Sequence, residues 1–202
     1  MVYAILFIMN NLEVELRSLI DEKKFIELND FLTKNGEDLG EDNKDSYFYH
    51  LPDKLIKVVN SETKNSAKLT LKLQKIGLGD DFEEIDVNFL PKDMDNVLRI
   101  LDILGYGENH LYSYQNRHNY LYKGVEFAVK YTVSWGFHCE MEIVIDNKED
   151  VPETIKQIEE VARELGLKTM SNDESKEFMK KILTGWERGP YSRDEFKSKK
   201  IF

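Results

Sequence analysis

Apolar residues recur along this chain with two different periods, and the period assigns most of its elements. Over residues 21–35, Phe25, Leu28, Phe31 and Leu32 fall on one helical face, and Gly36 follows. Residues 93–104 repeat the pattern with Val97, Leu98, Leu101 and Leu104 before Gly105. A third helix has Pro152 in its first turn, aligns Ile155, Ile158, Val161, Ala162 and Leu165, and stops at Gly166. A fourth covers residues 173–183, with Phe178, Met179, Ile182 and Leu183 on its apolar side. Between the helices, apolar–polar alternation predicts strands at 2–17, 46–50, 55–60, 67–74, 82–90, 110–117, 125–133 and 137–146. Lys123-Gly124 reads as a hairpin turn, and Gly77-Leu78-Gly79 as a loop ahead of a strand. The strands follow one another without regular helical crossovers, which predicts an α+β fold built on an antiparallel sheet.

Alternation also sorts charges onto faces. Successive strand residues point to opposite sides. Leu12, Val14 and Leu16 therefore face one way, and Glu13, Glu15 and Arg17 the other. Near the end of the chain, Cys139, Met141 and Ile143 share a face opposite Glu140 and Glu142. Glu84 and Asp86 form a third i, i+2 carboxylate pair. Lys68, Thr70 and Lys72 share a face, as do Gln115 and Arg117, and Lys57 sits between Ile56 and Val58. A charged strand face is ordinarily the solvated one. Paired carboxylates on three separate strands repel one another, however, and serve no structural end. A hard divalent cation gives them one, because such ions take a few carboxylates together with substrate phosphates. If the charged faces converge, they line a concave wet surface while the apolar faces pack outward. A small barrel normally does the reverse.

Composition narrows the classes. The 202 residues are 41% hydrophobic and 33% charged, enough for one domain with a core of its own. Net charge is -10, which argues against a nucleic-acid binder, so an anionic ligand needs local cations or a bound metal. A lone cysteine, Cys139, rules out an internal disulfide and favours a cytoplasmic setting. The apolar run 1–9 falls short of the roughly 20 residues a membrane span takes and lacks a basic leader, so no membrane association is expected. It reads as the upstream part of the first strand, with Met9 an alternative start. Residues 1–184 read as one domain and 185–202 as a C-terminal appendage. There is no P-loop, no G-x-S-x-G and no zinc-type Cys/His spacing. His50, His110, His118 and His138 lack metal spacing; His138 shares the face of Glu140 and reads as polar lining. Cys139 reads as a small buried apolar residue. Trp135 and Tyr131 read as packing residues.

Several motifs in order resemble a known family. Glu13-Val14-Glu15-Leu16-Arg17 resembles the ExExK signature of the CYTH superfamily, the triphosphate tunnel metalloenzymes, which includes class IV adenylyl cyclases, thiamine triphosphatases and tripolyphosphatases. Asp45-Ser46-Tyr47-Phe48 resembles its D-x-Y-F strand, Leu69-Thr70-Leu71-Lys72 its L-T-x-K strand, and Phe82-Glu83-Glu84-Ile85-Asp86 its R-x-E-x-E strand. The run from Gly136 to Glu142 resembles its terminal G-x-F-x-E-x-E strand. Order and spacing agree over roughly residues 9–183, and the ordered set is more specific than any single motif.

The resemblance implies a closed eight-stranded antiparallel β tunnel with helices outside. It implies Mg²⁺ or Mn²⁺ held by Glu13, Glu15, Glu140 and Glu142, with Glu84 and Asp86 as further carboxylates. Arg17, Lys57, Lys72 and Arg117 would contact phosphate oxygens, and Glu13, Glu15, Arg17, Lys72 and Arg117 would carry catalysis. This sequence departs from the pattern in its cations. Arg17 stands for Lys, offering a planar fork in place of a compact ammonium. Lys57-Val58-Val59 replaces R-x-R, and Gln115-Asn116-Arg117 replaces K-x-R. Lys130 stands where Asp is usual, and Phe82 where a basic residue is common. Lys68 and Lys130 are candidates to restore the missing charge at the substrate. The expected activity is metal-dependent hydrolysis of a triphosphate such as ATP, thiamine triphosphate or tripolyphosphate by a monomer or homodimer. The alternatives are cyclisation of ATP to cyclic AMP and pyrophosphate, and a non-catalytic nucleotide- or polyphosphate-binding module.

Overall fold

A computed structural model describes residues 12–73, 81–107 and 110–186. The expectations for the run 1–9, the Gly77–Gly79 loop and the end of the C-terminal appendage fall outside those residues. Among the described residues there are nine strands: β1 (Leu12–Leu19), β2 (Glu37–Glu41), β3 (Lys44–His50), β4 (Leu55–Ser61), β5 (Ser66–Lys72), β6 (Asp81–Phe89), β7 (His110–Tyr122), β8 (Val125–Thr132) and β9 (Gly136–Ile145). Four α-helices join them: α1 (Glu22–Asn35), α2 (Met94–Ile103), α3 (Val151–Glu164) and α4 (Asn172–Trp186).

Eight strands close on themselves in the order β1-β9-β8-β7-β3-β4-β5-β6 and back to β1, every pairing antiparallel. This is the expected α+β tunnel. Strand β7 is long enough to hold two partners along one edge. Its first half pairs with β3 and its second half with β2. The sequence reading missed β2, whose Glu37-Asp38-Leu39-Gly40-Glu41 is acidic and carries a glycine at φ +83°, features that disfavour a strand locally. At the far end of β7, Lys123 and Gly124 both take positive φ, 51° and 76°. That is the geometry of a tight two-residue hairpin, and Gly meets it without a Cβ clash.

Helix ends follow from local chemistry. The Asp21 side chain accepts from the Lys24 N–H at 2.7 Å and caps α1. At α4, Ser171 and Glu174 form a reciprocal capping box, with the Glu174 N–H donating to Ser171 Oγ and the Ser171 N–H to the Glu174 carboxylate.

The hydrophobic core lies outside the tunnel. Val14, Leu16, Phe127, Val129, Cys139 and Met141 point away from the lumen into the space under α1 and α3. There they meet Phe25, Leu28 and Leu32 of α1 and Ile158, Val161 and Ala162 of α3. Cys139 is fully buried in this layer, as expected of a small apolar residue. A smaller cluster of Tyr49, Val58 and Leu101 seats α2 against the opposite wall. Met179 and Ile182 of α4 pack with Leu111 and Trp135, at the end of the tunnel where the β8–β9 turn lies. Among the described residues no helix is long and apolar enough to cross a membrane.

Candidate active site

Strand register fixes which side chains meet inside. Glu15 lies opposite Glu142, and Arg17 opposite Glu140, because β1 and β9 run antiparallel in that alignment. Lys130 of β8 lies opposite both His138 of β9 and Arg117 of β7. Lys72 of β5 lies opposite Glu84 of β6. Every one of these belongs to the inward parity, so a single cavity is lined by Glu15, Arg17, Lys57, Lys72, Lys130 and Glu140.

Glu13, Glu15 and Glu142 bring one carboxylate oxygen each to within 4.8 Å of one another. Burial pushes the Glu13 carboxyl up to about 8, and Glu142, Glu84 and Glu15 push it the same way while Lys72 opposes them. Burial, with Glu15 next, raises Glu142 as well. Three crowded carboxyls, two of which, Glu13 and Glu142, are held toward the protonated form, make a donor set suited to a hard divalent cation, whose charge would remove the repulsion.

The cations are mostly engaged. Arg17 reaches Glu15 at 2.5 Å and Glu140 at 3.4 Å. Lys130 pairs with Glu140, and Lys72 pairs with Glu84 and stands 3.8 Å from Glu13. Burial works against the charge of Glu140, but Lys130, Arg17 and Arg117 together hold its carboxyl well below the usual range. Lys57 is different. Among the described residues no carboxylate lies within ion-pair distance of it, and its ammonium sits 5.8 Å from the Phe48 ring centroid. Burial, then the neighbouring charges of Lys72 and Lys130, depress Lys57 to about 8. A half-buried cation with no carboxylate in ion-pair range is suited to receive an anion.

Among solved structures, the chain resembles a conserved hypothetical protein from Pyrococcus furiosus at 24% identity, covering 77% of this chain and 91% of that one with a TM-score of 0.61. It resembles a candidate adenylate cyclase from Vibrio parahaemolyticus at 16% identity, covering 85% and 99%, TM-score 0.63. A candidate adenylyl cyclase from Hippeastrum, described as having a dominant triphosphatase activity, matches at 17% identity over 79% and 89%, TM-score 0.53. No family model and no curated protein matches the sequence.

The chain shares its fold with the CYTH-type tunnel proteins.

Within that tunnel fold the predicted site residues divide into groups. Glu13, Glu15 and Glu142 form the carboxylate cluster, and Glu84 stands beside it, bound to Lys72. Glu140 lies two residues along β9 from Glu142, between Arg17 and Lys130. Asp86 is drawn away: it accepts from Lys68 at 2.8 Å and from the Thr70 hydroxyl at 2.6 Å, and both charged partners are about two-fifths exposed. Lys68 thus stands at the rim, while Lys130 is 3% exposed within the wall. Arg117 donates its Nε–H to Asn119 and reaches Glu126 at 3.6 Å. His138 is buried, with Nδ1 at 2.9 Å from the Gly136 carbonyl. Burial, then Lys130, depresses it to about 4, so the ring is neutral at ordinary pH.

Other residues on the inner side of the tunnel are not singled out by the sequence pattern. Lys44 has the inward parity of β3, but the predicted strand began two residues later. Burial, then Arg117 and Lys57, bring its ammonium down to about 7, and Asp42 holds it at 2.6 Å. Phe48 and Met179 also line the cavity, as does Trp135, which was read as a packing residue. Parity could have found Phe48. Nothing in the spacing distinguishes Met179 from an ordinary helix core residue.

Proposed function

We propose that this protein is a divalent-metal-dependent enzyme that hydrolyses a triphosphate. The observation that carries the reading is the side-by-side placement, within one tunnel, of three convergent carboxylates and a file of buried cations. The fold shared with candidate cyclases and a triphosphatase supports it. Glu13, Glu15 and Glu142 would hold the ion, with Glu84 beside them, and Mg²⁺ or Mn²⁺ suits an all-oxygen donor set. A bound ion of this kind neutralises phosphate charge and lowers the pKa of a coordinated water. The chain supplies the rest. Lys57, Lys72, Arg17 and Lys130 grip the phosphate oxygens and hold the chain of phosphates in line. They also stabilise charge that builds on the bridging oxygen as the terminal phosphoryl group departs. Arg17 is suited to bidentate contact, and its planar fork already spans Glu15 and Glu140. Arg117, adjacent to Lys130 in register, extends the cationic wall.

The decisive experiment incubates the full chain with Mg²⁺ or Mn²⁺ and ATP, thiamine triphosphate or tripolyphosphate, then separates products. Orthophosphate with a diphosphate supports hydrolysis. Cyclic AMP with pyrophosphate would replace that reading by cyclisation. Ligand-induced thermal stabilisation without turnover of any substrate would leave a binding module.

A further inference from the structure

Helix α2 carries more apolar surface than its seat on the sheet uses. Seven of the eleven residues from Met94 to Leu104 are apolar, whereas a helix lying on a sheet needs a single stripe. Leu101 is buried, and Met94, Val97 and Leu98 pack beside it against Tyr49 and Val58. Ile100, Ile103 and Leu104 are left out, 57%, 75% and 64% exposed. Their i, i+3, i+4 spacing sets them side by side as a second stripe. Leu104, which spacing groups with Leu101, belongs to this outer stripe instead.

The uncovered surface continues past the helix. Leu90, at the entry to α2, is more than half exposed. On β6, Val87 lies opposite Leu69, which packs under α2, and Ile85 lies opposite Leu71. Both are about half exposed, while β1 and β9 beyond them are roofed by α3. Among the described residues no helix covers the sheet between α2 and α3. These six aliphatic side chains offer on the order of 600 Å², the upper end for a patch on a monomer and most of the roughly 800 Å² per partner that a stable interface buries.

Charge says which partner fits. Asp95, Arg99 and Asp102 border the stripe on one flank, all exposed, and among the described residues none is in an ion pair. A cation and an anion three residues apart on one flank complement themselves under two-fold symmetry. With the two-fold axis across the helices, α2 runs antiparallel to its copy. A contact centred between Arg99 and Asp102 lays Ile100 and Ile103 on the same stripe of the other copy. It also brings Arg99 to Asp102 of the partner subunit, twice. A uniformly basic or acidic partner finds no such match, because the flank carries both signs.

We infer that the chain forms a two-fold dimer through α2, with Ile100, Ile103 and Leu104 at its centre, Ile85 and Val87 toward its edge, and reciprocal Arg99–Asp102 pairs fixing its register. The contact lies outside the tunnel and uses none of the residues that line the cavity, so it holds whatever the chain turns over.

Sedimentation of the full chain across micromolar concentrations tests this. The native chain should run as a dimer that dissociates on dilution. Ile103→Asp should raise the dissociation constant by about 30-fold or more, the scale of one central anchor lost. Arg99→Asp, which sets like charges face to face, should raise it by about 10-fold or more, and adding Asp102→Arg should recover most of that loss. At dilutions where every form is monomeric, melting temperatures should agree, because the altered side chains already face water in the single chain. A native chain that stays monomeric overturns the inference. So does a dimer that neither Ile103→Asp nor the charge reversal weakens, since its contact lies on another face. Cover of the patch by the chain's own residues 1–11 would show as a monomer whose Ile103→Asp variant melts lower, and a surface kept for a different protein as a monomer whose variants melt unchanged; either result also overturns it. Where Ile103→Asp fails to fold, the Arg99→Asp loss and its rescue decide alone.

Discussion

The two faces of the same strands live under opposite rules. On the outer face of β8 and β9, Phe127, Val129, Cys139 and Met141 are wholly buried against helices, and apolar packing alone decides their identity. One residue away, on the inner face, Lys130 and His138 are nearly as inaccessible and Glu140 is only 17% exposed, yet all three are charged or polar, and each must find partners. The outer face holds the fold together. The inner face works against it, since buried ions give up solvation that their mutual attraction only partly returns. Helices and core lie outside so that the lumen can remain polar, and the difference separates the residues that hold the fold from those assigned to the proposed chemistry.

Five substitutions or titrations would sharpen or break this division. Phe127→Ala should cost about 3–5 kcal/mol in denaturant unfolding, the usual price of emptying a large core site. A cost below about 1 kcal/mol would mean that the outer layer is not the main core. Glu142→Gln should lower turnover by about 100-fold or more, as loss of a key electrostatic group does. The same change should leave the metal-free melting temperature equal or higher, because it relieves the crowding with Glu15 and Glu13. A marked fall in melting temperature would place Glu142 on the structural side instead.

The third concerns pH. Burial and neighbouring acids raise the Glu13 carboxyl of the folded chain from 4.5 to about 8. The folded state therefore holds more protons than the unfolded state between those values, and the stability this gives is lost as pH rises through the window. Lys57 and Lys44, depressed to about 8 and about 7, act with the opposite sign, regaining stability from near pH 7 upward. Between pH 5 and 7 Glu13 thus lowers the stability of the metal-free protein, offset up to about pH 6.5 by His138, whose depression to about 4 acts with the opposite sign. Stabilisation by a fixed Mg²⁺ concentration should grow across the same range, because the ion competes with protons for the carboxylates. Melting curves at three pH values with and without Mg²⁺ check this, and a Mg²⁺ effect constant with pH would speak against the cluster. The smallest effect belongs to Lys68→Ala at the rim, which should change stability by less than about 1 kcal/mol, as exposed pairs do. Lys57→Ala should by contrast raise KM about 10-fold, by comparison with charged groups at hydrogen-bonded anion sites.

Much of this organisation was legible in the chain because a closed tunnel enforces strict alternation. The Glu13–Arg17 and Glu140–Glu142 strands declare their inner faces by period alone, and their register then brings the acids together. What stayed hidden did so for identifiable reasons. β2 pairs with half of an unusually long β7, a tertiary circumstance that its acidic sequence opposes. Asp86 shares parity with Glu84, but parity says nothing of position along the axis, and Thr70 and Lys68 claim it. Trp135 lies in the turn between β8 and β9, where periodicity has no force, and Met179 has the spacing of any helix core residue. Gln115 read as a missing cation; that its Oε1 is buried without a hydrogen-bond partner is visible only once its surroundings are closed.

The internal pairing of Lys72 with Glu84, and of Lys130 and Arg17 with Glu140, has a kinetic corollary. Under the proposed function, a polyanion entering the lumen would have to part these pairs, and their re-formation would favour its departure.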